Sequence, residues 1–306
     1  ATTEIVGIIH ADMIVTENYL ENLLKHLDKG KVVCGTRIEP PLHPPGNEKI
    51  IQNFGLDFDD LDIPAFEEFV KKVQIEYEGK TTKGMFAPWI LYKEDFQRIG
   101  GHDPLFAPFP YEDSDIFQRW IMAGYELIQS RDSFVYHLTC RGHRWNDQIQ
   151  KDDDYYKVAS KKAARNYLRK WGTWIENDSY QYPIITPKYD IGFIIKNCNL
   201  DLLKVLEPWA STCYVDFNYT DYLYIEKDNT LMDLNERVKP YENEKNNEIL
   251  VEIDGRTLNN DDFKIIQQLA KIIQDSGEVG RFTLGNLNIE IVQMNEYQNN
   301  LINVER

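Results

Sequence analysis

The sequence predicts an α/β protein: a mixed sheet with flanking helices, followed by a small α+β unit. Three observations carry that expectation. Apolar β-branched runs alternate with amphipathic stretches over the first 171 residues, the pattern that gives a sheet covered by helices. Residues 172–190 hold two prolines, several tyrosines and little period, which marks a boundary. Beyond it, Gly285-Asn286 separates two apolar runs and signals a hairpin. The domains are therefore expected at 1–175 and 176–306.

Each element has a local reason. Glu4 to Ile9 is a short β-branched run, read as a buried strand that stops at His10-Ala11-Asp12. Thr16-Glu17-Asn18 opens a helix with Tyr19, Leu20, Leu23, Leu24 and Leu27 on one face, and Gly30 ends it. Lys31 to Thr36 is the next strand, so the chain starts as strand, helix, strand. Four prolines between Pro40 and Pro45 make residues 38–48 an extended surface loop. Phe66 to Val73 reads as a short amphipathic helix, and Lys83 to Leu91 as a strand. Lys93 to Phe96 starts a helical turn that runs into Gly100-Gly101. Tyr111 to Ala123 is a longer helix with Ile116, Phe117, Trp120 and Ile121 inward and Gly124 as its stop. Ser133 to Leu138 is a strand ending near His137. From Asp152 to Trp171 the acids precede the bases, the order a helix dipole favours. In the tail, Ser211 to Ile225 and Ile249 to Ile253 read as strands. Asp261 to Gln274 reads as a helix stopped by Gly277, and Arg281 to Leu284 with Leu287 to Val292 forms the hairpin.

Composition narrows the function. The 306 residues hold 34 basic and 50 acidic side chains, a formal charge of −16. From Asp178 onward 12 bases face 22 acids, so most of the excess lies in the tail. Such a balance argues against nucleic acid or an anionic membrane as partner. Four cysteines without a CxxC pair suggest neither a disulfide framework nor a zinc cage, and a reducing, cytoplasmic setting is expected. No apolar stretch approaches membrane-helix length, and the first residues lack the basic and apolar regions of an export signal.

Three short pieces carry the chemistry: His10-Ala11-Asp12 after a strand, Glu112-Asp113 at a helix start, and His137 at a strand end. Open α/β folds place ligands at the carboxyl ends of strands. Asp12 and His137 suit an Mn2+ or Mg2+ ion that also touches a diphosphate, and His10 is placed either as a third ligand or as a contact to the nucleotide. Asp113 is placed to take a proton from an attacking hydroxyl. No Walker loop, GxGxxG or Ser-His-Asp elbow appears in the sequence.

The order and spacing of these residues resemble a family 2 glycosyltransferase of the GT-A (Rossmann-like) fold. The likeness covers roughly the first 145 residues. It rests on Gly84-Met85-Phe86, on the run from Lys93 to Asp103 with Gly100-Gly101, on Tyr111-Glu112-Asp113-Ser114-Asp115-Ile116 with Arg119 and Gly124, and on Val135-Tyr136-His137. His10-Ala11-Asp12 stands where such enzymes carry a metal-binding Asp-X-Asp motif. The resemblance implies that Asp12 binds the metal and His137 completes its coordination. It also implies that Asp113 is the base of an inverting transfer, that Glu112 orients the acceptor, and that Gly100-Gly101 lies beside the sugar. The donor is then a nucleotide-diphosphate sugar and the acceptor a saccharide or other hydroxyl compound. Only nine residues precede His10, against roughly a hundred in a mononucleotide-binding half. The expectation is thus a catalytic part of a longer chain, a site completed by another chain, or a scaffold that has lost transfer activity.

Blander readings stand beside these. An aspartate after a strand is usually a turn residue, paired acids at a helix start usually favour capping, and a solitary histidine usually has no metal. Trp89 is the better stacking wall for an acceptor, since Trp120 lies on a helix's apolar face. Arg141 and Arg144, flanking His143, are expected either to fold over a diphosphate or to form a solvated turn. The favoured function is metal-dependent glycosyl transfer. The alternative is a non-catalytic binding or assembly module acting through its acidic tail, whose strands are able to pair between chains into a homo-oligomer.

Overall fold

The protein is described from a computed structural model, which covers residues 1–139, 144–146 and 151–304. The chain forms β1 (Ile5–Ile8), β2 (Met13–Val15), α1 (Tyr19–Leu24), β3 (Lys31–Glu39), β4 (Lys49–Ile51), α2 (Ile63–Tyr77), β5 (Thr81–Thr82) and β6 (Trp89–Tyr92). There follow α3 (Lys93–Arg98), α4 (Glu112–Met122), β7 (Glu126–His137), the pair β8 (Trp145–Asn146) and β9 (Lys151–Asp152), and α5 (Asp154–Trp171).

The first sheet has the order β1-β6-β3-β7-β2. Its spine is β3 and β7, which run parallel, and β3 is buried along nearly its whole length because helices cover both faces. Alternation along β7 sorts the two cores: Val135 packs with Leu23 of α1 and with Ile116 and Trp120 of α4, while Phe134 and Tyr136 pack against Phe66 and Val70 of α2. The opening strand, helix and strand all form, but antiparallel β6 separates β1 from β3, and β1 is not the buried strand expected: it is a sheet edge with Ile8 exposed. Two further expectations are corrected here. Within Lys83 to Leu91 the strand begins only at Trp89, since Gly84 sits at φ +149° and the segment before Trp89 packs as an irregular loop. The loop expected from residue 38 is shortened, because β3 continues through Glu39.

After the short pair β10 (Glu176–Asn177) and β11 (Pro183–Ile184), a second sheet is built from β12 (Ile191–Lys196), β13 (Thr212–Val215), β14 (Val238–Pro240), β15 (Ile249–Asp254), β16 (Gly280–Leu284) and β17 (Leu287–Ile291). Its order is β14-β13-β12-β15-β17-β16, with the first four strands parallel and the expected hairpin added antiparallel. Helices α6 (Leu200–Leu206), α7 (Thr220–Glu226), α8 (Leu234–Arg237), α9 (Asn260–Gln267) and α10 (Leu269–Ser276) accompany it. Leu203, Tyr222, Ile266 and Ile273 pack on Phe193, Ile195, Val251 and Ile253. The run Ser211 to Ile225 is not one strand: Asn218 Oδ1 accepts from the Thr220 N–H at 3.0 Å and starts α7. The helix expected from 261 breaks at Gln268, and Gly277 in the left-handed region (φ +60°) ends it as expected.

The two units share α5. Leu168 joins the second core, and Arg169 is wholly buried against Glu207 (3.0 and 2.8 Å) and Glu226. The chain end returns to the first unit, where Val304 lies over Gly100. No helix among the described residues is long and apolar enough to cross a membrane.

Candidate metal centre

His10 and Asp12 lie in the turn between β1 and β2, closed by the Met13 N–H donating to the His10 carbonyl at 3.2 Å. β2 then pairs antiparallel with β7 so that Met13 faces His137, and the Leu138 N–H donates to the Asp12 carbonyl at 2.9 Å. This pairing closes a gap of 125 residues in sequence. One ligand atom each from His10, Asp12 and His137 lie within 4.8 Å of one another.

Each imidazole has a carboxylate behind it. His10 Nε2 is 3.2 Å from Asp113 Oδ2, and His137 Nδ1 is 2.8 Å from Glu39 Oε1. The other nitrogen of His137, Nε2, faces Asp12 Oδ2 at 3.6 Å, too far for a hydrogen bond but close enough for strong charge coupling. Burial works against charge on all of these groups, and the pairing overcomes it. Both imidazoles hold their protons more tightly than usual, His10 because of Asp113 and His137 because of Asp12 and Glu39. Asp12 is held below the ordinary carboxylate range despite burial, chiefly by His137. Glu39 falls to about 2 against its burial, through His137, Arg37 and Lys49.

Asp113 and Glu112 occupy the first turn of α4, where the helix dipole favours acids. The N-cap residue Tyr111 makes no side-chain cap bond, and Asp113 is instead turned to His10. Burial, then the adjacent Asp113 charge, raises the Glu112 carboxyl to about 7. Its Oε2 is buried with no hydrogen-bond partner among the described residues. Phe86 floors the site: its ring centroid is 6.1 Å from those of His10 and His137, and the Arg37 guanidinium stacks on it at 3.5 Å.

The expected sugar contacts fare differently. Trp89 is wholly buried, edge-on to Trp120 at 4.8 Å, so it is a core residue and offers no face to an acceptor. Its place in β6, a strand flanked by β1 and β3 and packed within the first core, explains why. Gly100 is covered: a Cβ there would meet Val304 Cβ at 3.0 Å, so the chain end, and not open space for a sugar, lies against it. The Gly101 carbonyl accepts from Arg119 at 2.6 Å, which fixes the turn to α4. Arg144 pairs with Asp152 at 3.0 Å and lies over Tyr156. Arg141 and His143 lie outside the described residues.

Glu39, Arg37 and Phe86 have no assigned role in the sequence reading. The available signal was an Arg-x-Glu alternation inside an otherwise apolar strand, since buried charges persist there only when paired.

Comparison with known proteins adds one positive finding. A family model described as the N-terminal domain of galactosyltransferase matches residues 65–141, a segment that holds Phe86, Glu112, Asp113 and His137. No curated protein sequence matches the chain. The match makes glycosyl transfer the reaction class to which this segment is similar, and it contains one of the two histidines and the acidic pair of the centre just described.

Proposed function

We propose that this chain transfers a sugar from a nucleotide-diphosphate donor to a hydroxyl acceptor, with inversion and with a divalent ion held by Asp12, His137 and His10. The observation that carries the reading is the meeting of those three side chains beside Asp113, in a chain whose residues 65–141 resemble a galactosyltransferase domain. Two imidazoles and one carboxylate fit Mn2+ better than Mg2+, which prefers oxygen ligands. When bound, such an ion supplies positive charge to a departing diphosphate.

The protein's own groups supply the rest. Asp113 accepts the proton of the attacking hydroxyl, for which it must let go of His10. Glu112, with one buried oxygen that has no partner among the described residues, donates or accepts a hydrogen bond at the acceptor. Phe86 shields the cluster from below, which keeps the local dielectric low.

The test compares wild type, Asp12→Ala and Asp113→Asn with a panel of nucleoside diphosphates and their sugar conjugates in Mn2+. Asp12→Ala is expected to lose metal-dependent nucleotide binding. Asp113→Asn is expected to bind normally and to lose about 10²–10⁴-fold in kcat. Nucleotide binding that ignores both Mn2+ and Asp12→Ala would sink the proposal and favour the non-catalytic module.

A further inference from the structure

We infer that Glu39 is a positioning residue for the metal centre, acting through His137; this rests on the metal reading above. Glu39 ends β3 one step beyond Ile38, which pairs with Tyr136, so parallel pairing carries its carboxylate to His137. The carboxylate is almost completely buried and both of its oxygens accept hydrogen bonds. Oε1 accepts from His137 Nδ1 at 2.8 Å and from Arg37 at 2.6 Å, and Oε2 accepts from Lys49 Nζ at 3.0 Å. Two fixed cations therefore lock the acceptor in place before any ligand arrives.

The consequence for His137 follows from imidazole chemistry. With Nδ1 committed as donor to Glu39, the neutral ring has its lone pair on Nε2, the nitrogen that faces Asp12 at 3.6 Å. A lone pair and a carboxylate oxygen at that separation repel unless a positive charge lies between them. Glu39 thus selects the tautomer in which Nε2 and Asp12 face each other as two acceptors, a pair that a proton or a metal ion satisfies. Arg37 stacks on Phe86 as well, so the same network sets the floor of the centre.

A structural role for Glu39 is separable from a positioning role, because Glu48 shares its network without touching His137. Glu48 Oε1 accepts from Arg37 at 3.0 Å and is equally buried. Calorimetric titration of the whole chain with Mn2+ is the test, on wild type, Glu39→Gln and Glu48→Gln. Glu39→Gln is expected to weaken Mn2+ by about 10-fold or more, the usual effect of losing the partner behind a ligating histidine. Glu48→Gln is expected to stay within about twofold, although it burdens the fold in the same way. Equal affinity in wild type and Glu39→Gln would overturn the inference and leave the metal reading standing, as would equal weakening by the two variants. No Mn2+ binding by wild type would overturn both. Should Glu39→Gln fail to fold, ¹⁵N spectra of the metal-free wild type, at a pH where the ring is neutral, decide the matter. A His137 proton on Nδ1 supports the inference, and one on Nε2 overturns it.

Discussion

Asp113 shows how one side chain can satisfy a general rule and still do something particular. Its place in the first turn of α4 is what the helix dipole favours, yet its carboxylate turns to His10 at 3.2 Å. Asp12, His10, His137 and Asp113 were legible as a group through their order along the chain and its resemblance to a glycosyltransferase, since each of them alone has a commoner structural explanation. Trp89 was misread for a physical reason: an aromatic ring serves equally well in a core or as a sugar platform, and only tertiary packing decides. We predict that Trp89→Phe lowers thermal stability but leaves the acceptor KM unchanged in a transfer assay. A large rise in KM with unchanged stability would return Trp89 to the acceptor site. Glu39 escaped notice because the Arg-x-Glu alternation of β3 signals a buried charge without naming its partner, which lies 98 residues away.

Elements with one consistent period were readable, and those interrupted by turn chemistry were not. The helices α1, α2, α4 and α5 and the hairpin β16–β17 follow from apolar spacing, glycine stops and charge order. The break between β13 and α7 hinges on one Asx-type bond from Asn218, which the apolar run through Ile225 conceals. The strand β12, central to the second sheet, sat beside the boundary segment and escaped notice, since a short apolar run has no period of its own. At β3 the register against β7 shifts between Cys34 and Thr36, and a Cβ on Gly35 would meet the Tyr19 ring at 2.8 Å and the Ser133 carbonyl at 2.9 Å. Gly35→Ala is accordingly expected to destabilise the fold by about 1–3 kcal/mol, read from urea denaturation. An unchanged midpoint would mean that the bulge has slack that the packing does not suggest.

At the scale of the molecule, α5 binds the two units through buried charge. Glu207 receives Arg169 and also Arg237 Nε at 2.5 Å, with Tyr222 donating at 2.7 Å. Burial alone would raise its carboxyl, but Arg237 and Arg169 win and hold it at about 2, below its ordinary 4.5. A folded-state value lower than the unfolded one means stability that is present above pH ~4.5 and is lost as pH falls toward ~2. Glu207→Gln should therefore be less stable at neutral pH and flatten the acid limb of the stability curve across that window. A variant with the wild-type acid limb would show that the cluster does not couple folding to protons. Glu207→Ala, which leaves the buried Arg237 without a carboxylate and Arg169 with Glu226 alone, is expected to cost about 3–5 kcal/mol.

The central claim is that the turn after β1 and the end of β7 share a cation. Crystals grown with Mn2+ and measured for its anomalous signal test it most directly. The account predicts a peak within about 2.3 Å of His10, Asp12 and His137, with Glu39 still bonded to His137 Nδ1. A peak elsewhere, with none between His137 and Asp12, would contradict it.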